Sequence, residues 1–165
     1  MDAMQLTVIL SDIRSVHNVG SIFRTADAAG VEKIYCCGYT PTPLDRFGRV
    51  RQDFAKVSLG AEASVAWEYI ESAVEAIKKL KDNDWKIFAV EQAKNSIPYD
   101  RIPKLKLGGG KVALMMGNEV GGIPAAILKK CDAILEIPMR GKKESLNVSV
   151  AFGIVAFALV SGSRQ

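Results

Sequence analysis

The chain alternates short apolar runs with segments whose apolar residues recur at helical spacing. Residues 6–10 predict a short buried strand. After Ser11 and Asp12, residues 18–29 place Ile22, Phe23, Ala26 and Ala29 at helical spacing, and Gly30 follows as a helix-ending glycine should. Lys33–Cys37 predicts a second strand, and residues 38–52, rich in Pro, Gly and Arg, predict a loop. Residues 65–69 predict a strand, residues 72–81 a helix with Val74, Ile77 and Leu80 on one side, and residues 86–91 another strand. A polar connection containing Pro and Gly covers residues 95–110. Residues 112–116 are continuously apolar, as in a strand buried on both faces. Residues 124–130 predict a short helix with Pro124 in its first turn, residues 133–137 a strand, and residues 147–161 a last helix.

Strands that alternate with helices predict a three-layer α/β domain around a mainly parallel sheet. With neither repeats nor a linker, residues 1–165 read as one domain. The last helix carries Val148, Val150, Phe152, Ile154, Val155, Phe157, Leu159 and Val160 almost all round its circumference. A helix that is apolar on every side is buried on every side. In a chain this small that requires its own sheet and another subunit, so periodicity predicts a homodimer.

Composition adds bounds. A chain of 165 residues suits one domain with a real core. The net charge of +4 is compatible with a polyanionic partner and decides nothing alone. Cys36, Cys37 and Cys131 are odd in number and irregularly spaced, which argues for free thiols rather than a disulfide framework. With His17 the single histidine, a His/Cys metal site is not expected. Residues 1–5 lack a secretory core, and the most apolar segment, 148–160, is shorter than the roughly 20 residues that cross a bilayer. A cytoplasmic protein is the expectation.

Three segments carry candidate chemistry. The first is His17-Asn18-Val19-Gly20-Ser21-Ile22-Phe23-Arg24-Thr25-Ala26-Asp27. Asn18 reads either as a helix N-cap or as a functional amide. Arg24, six residues on, is displaced about 120° around the helix, and reads either as a structural ion paired with Asp27 or as a functional cation. The second, Met116-Gly117-Asn118-Glu119-Val120-Gly121-Gly122-Ile123-Pro124, joins a buried strand to a helix. Ligands of open α/β sheets bind at the carboxyl ends of strands, but this spacing is not the dinucleotide fingerprint, and the other reading is a plain tight turn. Gly108-Gly109-Gly110-Lys111 is not a phosphate loop either, because Leu105 and Val112 stand at required positions. The third is Ile137-Pro138-Met139-Arg140-Gly141 followed by Ser145-Leu146-Asn147-Val148-Ser149, where Ser145 and Asn147 stand at the mouth of the last helix as caps or as site residues.

In this order and at these separations, the three segments resemble the motifs of the SpoU family of RNA 2′-O-ribose methyltransferases, within the SPOUT superfamily. The resemblance runs from about Leu6 to Leu159. It implies a deep C-terminal trefoil knot, which general topology rules would reject. It also implies S-adenosylmethionine as cofactor, a homodimer with active sites at the subunit interface, and no metal. The implied cofactor-binding residues are Val90, Glu91, Gly117, Asn118, Gly121, Ile137, Met139, Ser145 and Leu146. The implied catalytic residues are Arg24, Asn18, Glu119, Ser145 and Asn147. Arg24 would act on the 2′-hydroxyl or its neighbouring phosphate across the interface. Since free arginine has a pKa above about 12, we favour phosphate clamping and alkoxide stabilisation over a role as base.

RNA must also be held. Arg46, Arg49, Arg51 and Lys56 surround Phe47 and Phe54, a basic loop with interleaved aromatics that suits phosphates and bases, or simply a solvated loop. Lys142 and Lys143 lie beside the third segment. Little sequence precedes Leu6 or follows Gly162, and no separate RNA-binding domain is expected, so substrate choice falls to the catalytic domain or to an accessory protein. Transfer RNA is slightly favoured over ribosomal RNA. Two alternatives remain: a non-catalytic RNA-binding protein that keeps the fold, and a SPOUT enzyme that methylates a base.

Overall fold

The computed structural model describes residues 3–105 and 110–162. Residues 106–109, part of the expected 95–110 connection and of the Gly-Gly-Gly-Lys run, lie outside them. Seven strands form one sheet: β1 Gln5–Ser11, β2 Lys33–Cys37, β3 Ala66–Ile70, β4 Lys86–Val90, β5 Ile97–Pro98, β6 Lys111–Met116 and β7 Ala133–Glu136. Their order is β3-β2-β1-β6-β4-β7-β5, and every pairing is parallel. The helices are α1 Val16–Ala29, α2 Gln52–Ser58, α3 Ala61–Ser64, α4 Ala73–Lys81, α5 Ala125–Leu128 and α6 Val148–Gly162.

The alternation of side chains along each strand builds the three layers. Leu6, Val8 and Leu10 of β1, with Val112, Leu114 and Met116 of β6, pack beneath α1, α2 and α6 through Val19, Ile22, Phe23, Phe54, Phe152 and Val155. Ile9, Ala113 and Met115 point the other way, onto Ala76, Ile77 and Leu80 of α4. The central strands are therefore apolar at successive positions because both faces are covered.

Several expectations are corrected. Helix α1 begins at Val16, and its N-cap is Ser15, whose Oγ accepts the Asn18 N–H at 3.1 Å. The capping reading of Asn18 falls, and its side chain is left for tertiary bonds. Val74 is exposed, because the buried stripe of α4 is Ala73, Ala76, Ile77 and Leu80. Phe54 is fully buried and meets Phe23 edge-on at 5.1 Å between centroids, so it cannot stack on a base. Residues 52–64 form two short helices, and β5 with a 3-10 turn, Tyr99–Leu105, lies in the expected polar connection. Arg24 has no ion-pair partner among the described residues, so the pairing with Asp27 also falls. Cys36 and Cys37 are free and buried, and burial pushes both thiols up, Cys37 to about 12.

The chain leaves β1 toward β2 on one side and leaves β6 across β4 toward β7 on the other. Neighbouring strands whose connections diverge leave a crevice outside their carboxyl ends. The loops after β1, β4, β6 and β7 meet there.

Candidate active site

A cavity of about 590 Å³ opens at the carboxyl ends of β4, β6 and β7. All nine residues expected at a cofactor line it: Val90 and Glu91 after β4, Gly117, Asn118 and Gly121 after β6, and Ile137, Met139, Ser145 and Leu146 after β7. Asn18, Glu119 and Asn147 line it as well. Residues 129 positions apart in sequence are thereby in contact: Asn147 Nδ2 donates to Asn18 Oδ1 at 3.0 Å. Asn18 Nδ2 in turn donates to Glu119 Oε1 at 3.2 Å.

Glu119 ends this chain of bonds. Its Oε1 accepts the Ser15 N–H and its Oε2 the Arg14 N–H, both at 3.1 Å. These are donors at the start of α1, where a helix welcomes negative charge. Burial works against ionisation, but the N–H groups of Glu119 itself, Arg14 and Ser15, with the Asn18 amide, outweigh it and hold the carboxyl below the usual carboxylate range. A depressed carboxyl stabilises the fold above the unfolded-state value of about 4.3 and loses that contribution as pH falls toward its folded value. Wild-type thermal stability should therefore fall more steeply in the pH window below about 4.3 than that of Glu119→Gln. A melting series in that window checks this; parallel curves would remove Glu119 as a folded-state anion. Asn147 also caps α6, its Oδ1 accepting the Ser149 N–H at 2.9 Å and hydroxyl at 2.6 Å.

The glycine loop is more than a plain turn. Asn118 Nδ2 donates to Asp12 O at 2.7 Å, while its Oδ1 accepts the N–H groups of Val120 and Gly121 at 2.9 and 3.0 Å. Glu91 Oε2 accepts the Ile123 N–H at 3.0 Å, which fastens the loop to the end of β4. At Gly122, with φ +65°, a Cβ would lie 2.3 Å from Glu91 Oε2. Sequence reasoning passed over Asp12 and Gln92. Asp12 has φ +53°, and its Oδ1 accepts the Tyr39 N–H at 2.9 Å. Gln92 Nε2 donates to Glu144 O at 2.7 Å. The available signal was position alone, since Asp12 is the first residue after β1 and Gln92 the second after β4.

Arg24 stands apart. It is exposed on the opposite flank of α1, as its angular displacement from Asn18 requires, and lines a second cavity of about 580 Å³ with His17, Ser21, Thr25, Lys56 and Phe157. The two cavities differ in charge. Among their described lining residues, the first has Glu91, Glu119 and Glu136 with neither lysine nor arginine, and the second has His17, Arg24 and Lys56 with no carboxylate. Of the other expected RNA contacts, Lys142 and Lys143 are exposed, Arg49 pairs with Asp45 at 2.9 Å, and Arg51 pairs with Asp53 at 2.8 Å.

Fold and crevice define an α/β protein with a small-molecule cavity outside the carboxyl ends of a parallel sheet. The model of the SpoU rRNA methylase family matches residues 5–157, and the chain belongs to that family. It is 32% identical over 154 residues to the 23S rRNA (guanosine-2'-O-)-methyltransferase RlmB of Salmonella typhi, covering 93% of this chain and 58% of the relative. The chain thus spans little more than half the length of that curated relative. It superposes with TM-score 0.82 and 28% identity on an AdoMet-bound rRNA methyltransferase of Sinorhizobium meliloti, covering 93% of this chain and 55% of that one. With the TrmH/SpoU tRNA modifying enzyme of A. aeolicus the TM-score is 0.75 and the identity 25%, covering 100% of this chain and 76% of that one.

Proposed function

We propose that this chain transfers a methyl group from S-adenosylmethionine to a ribose 2′-hydroxyl of RNA. The observation that carries the reading is that Asn18 of the first motif meets the second and third motifs at one cavity that is acidic in its lining. Its volume lies in the range of small-molecule sites, about 300–1,000 Å³. Leu128, Leu135, Ile137, Val148 and Ala151 offer apolar walls for a nucleoside, and the carboxylates suit a cationic ligand. When bound, S-adenosylmethionine supplies a methyl group on a positively charged sulfonium. The relative named for guanosine-2'-O-methylation and the AdoMet-bound neighbour favour the same cofactor and acceptor.

The chain's own residues hold and orient. Asn18 and Asn147 face the cavity as a paired amide rim, and Glu119 positions the start of α1 rather than taking a proton, since its oxygens already accept three donors. Ser145 has no hydrogen bond within the described residues and is left to a ligand. Arg24, with His17 and Lys56, gives a cationic surface for the phosphate beside the target ribose, and a fixed guanidinium stabilises a developing alkoxide. Since Arg24 opens into the second cavity, we assign it to the neighbouring subunit's site in a homodimer. Val150 and Phe157 of α6 are half exposed in the single chain, in support of that assembly. Phe157→Glu is expected to turn a dimer of twice 17.9 kDa into monomer by sedimentation velocity, and unchanged sedimentation would place the interface elsewhere.

The implied trefoil knot belongs to this reading. It is supported by the Gln92–Glu144 bond, which ties the segment after β7 to the end of β4, and by α6, which then packs back on α1. Among the described residues no helix is long and apolar enough to cross a membrane, and a cytoplasmic site of action is part of the proposal. The test is methyl transfer from labelled S-adenosylmethionine to separated transfer and ribosomal RNA, followed by nucleoside mass spectrometry. A 2′-O-methylated nucleoside, guanosine being examined first, is the expected product. A methylated base would replace the reading with base methylation. Absence of both transfer and cofactor binding would favour the non-catalytic alternative. Which RNA fraction is labelled decides between the slight expectation of transfer RNA and the ribosomal substrates of relatives.

A further inference from the structure

The loop between β2 and α2 carries an aromatic ring that neither cavity uses. Its tip, residues 44–50, is a closed turn in which Leu44 and Val50 bridge antiparallel. The Asp45 N–H donates to Arg49 O at 2.8 Å and the Gly48 N–H to Asp45 O at 3.0 Å. Asp45 Oδ1 accepts the N–H groups of Phe47 and Arg49 at 2.8 and 3.0 Å, and Oδ2 accepts the Arg49 guanidinium at 2.9 Å. Phe47 stands on this braced turn, 66% exposed. The guanidinium carbons of Arg46 and Arg49 lie 4.7 and 4.9 Å from its ring centroid.

Burial of a phenylalanine ring is favourable, and this ring forgoes most of that gain on a braced turn. The flanking charge selects the occupant. A plain apolar surface would strand Arg46, which has no carboxylate partner among the described residues, whereas Arg49 is paired with Asp45. A nucleotide offers both a π face for the ring or a guanidinium plane and a phosphate for the free cation. The loop is also fixed beside the crevice. Thr40 Oγ1 accepts the Ile13 N–H at 3.1 Å and donates to Leu10 O at 3.0 Å, at the end of β1 where Asp12 holds both Tyr39 and Asn118.

We infer that Phe47, flanked by Arg46 and Arg49, is a stacking platform for an unpaired RNA base near the target ribose. This deepens the RNA reading above and rests on it. It narrows the expected basic loop to its tip, because Phe54 is core and Arg51 stands at the start of α2 paired with Asp53, whereas Arg49 lies over the Phe47 ring. It also gives the substrate class. A duplex keeps its base faces stacked inside, so the platform requires a single strand or a loop at that point.

The test is a fluorescence titration of a single-stranded RNA of about 12 nucleotides containing 2-aminopurine, with no cofactor present. Phe47→Ala is expected to weaken binding about five- to a hundredfold and to lose the quenching of the base, and Phe47→Trp to restore both. The same sequence as a duplex should bind wild type and Phe47→Ala alike. Equal single-strand affinity, a loss that tryptophan does not restore, or no binding by wild type overturns the platform. The titration does not depend on methyl transfer, so an enzyme that methylates RNA without any dependence on Phe47 removes the platform and leaves the reaction standing.

Discussion

Replacing Arg24 with alanine is expected to stop methyl transfer to RNA while S-adenosylmethionine still binds. The side chain is exposed, has no ion-pair partner among the described residues, and lies outside the cavity that holds the expected cofactor residues. Its removal therefore disturbs neither core nor cofactor wall, and a surface change of that kind usually stays within about 0.5 kcal/mol of stability. Under the proposed assignment, what it removes is the cation that meets the charge developing on the ribose oxygen. Losses of one such stabilising group commonly run to about 10²–10³ in turnover. Arg24→Lys should recover only part of that, since an ammonium keeps the charge and lacks the planar fork. Single-turnover transfer from labelled cofactor reads the rate, and calorimetry reads cofactor affinity. Full activity in Arg24→Ala would sink the assignment, and parallel loss of cofactor affinity would move Arg24 into the cofactor wall.

Much of the layer architecture was legible because it depends on one-dimensional period. The apolar runs of β1, β2, β4 and β6 report burial on both faces, and α1 shows its stripe through large side chains at Ile22 and Phe23. What stayed hidden had no period to show. Strand β5 is two residues long and pairs only through Ile97 with Leu135 and Pro98 with Glu136. Helices α2 and α3 are separated by Leu59 and Gly60, both left-handed, and bury little beyond Phe54, Ser58 and Ala61. In α4 the buried stripe begins with two alanines, so the larger Val74 drew attention to the wrong side.

The site was legible in a different way. Nothing in local pattern joins Asn18 to Asn147 or Glu119 to the amides of Arg14 and Ser15. The order of three motifs supplied that grouping, and the fold brings the groups within hydrogen-bond distance. Where the motif order was silent, sequence adjacency misled. Phe54 stands near arginines in the chain but points into the core, and Asn18 stands at the expected helix start while Ser15 caps it.

Gly117→Ala is expected to weaken cofactor binding at least about tenfold, and Gly121→Ala provides the contrast that says why. A Cβ at Gly117 would sit 2.5 Å from Ile123 Cγ1, 2.7 Å from Gly122 C and 2.9 Å from Ile123 N. Two of these are backbone atoms of a loop fastened by Glu91 and Asn118, so no rotamer change relieves the clash. The loop must shift, and with it the amides that line the cavity. Overpacking of this kind costs about 1–3 kcal/mol, so a lower melting temperature should accompany at least about a tenfold loss of cofactor affinity. At Gly121 a Cβ would meet only Asn118 Oδ1, at 3.9 Å. The folded loop accepts that methyl, and the melting temperature should hold. Affinity of Gly121→Ala then reports directly on where the ligand lies: a loss without destabilisation puts the cofactor against Gly121, and wild-type affinity puts it deeper, toward Leu135 and Ile137. Unaltered binding and stability in Gly117→Ala would mean that the loop is soft and that its close packing does not shape the cofactor site.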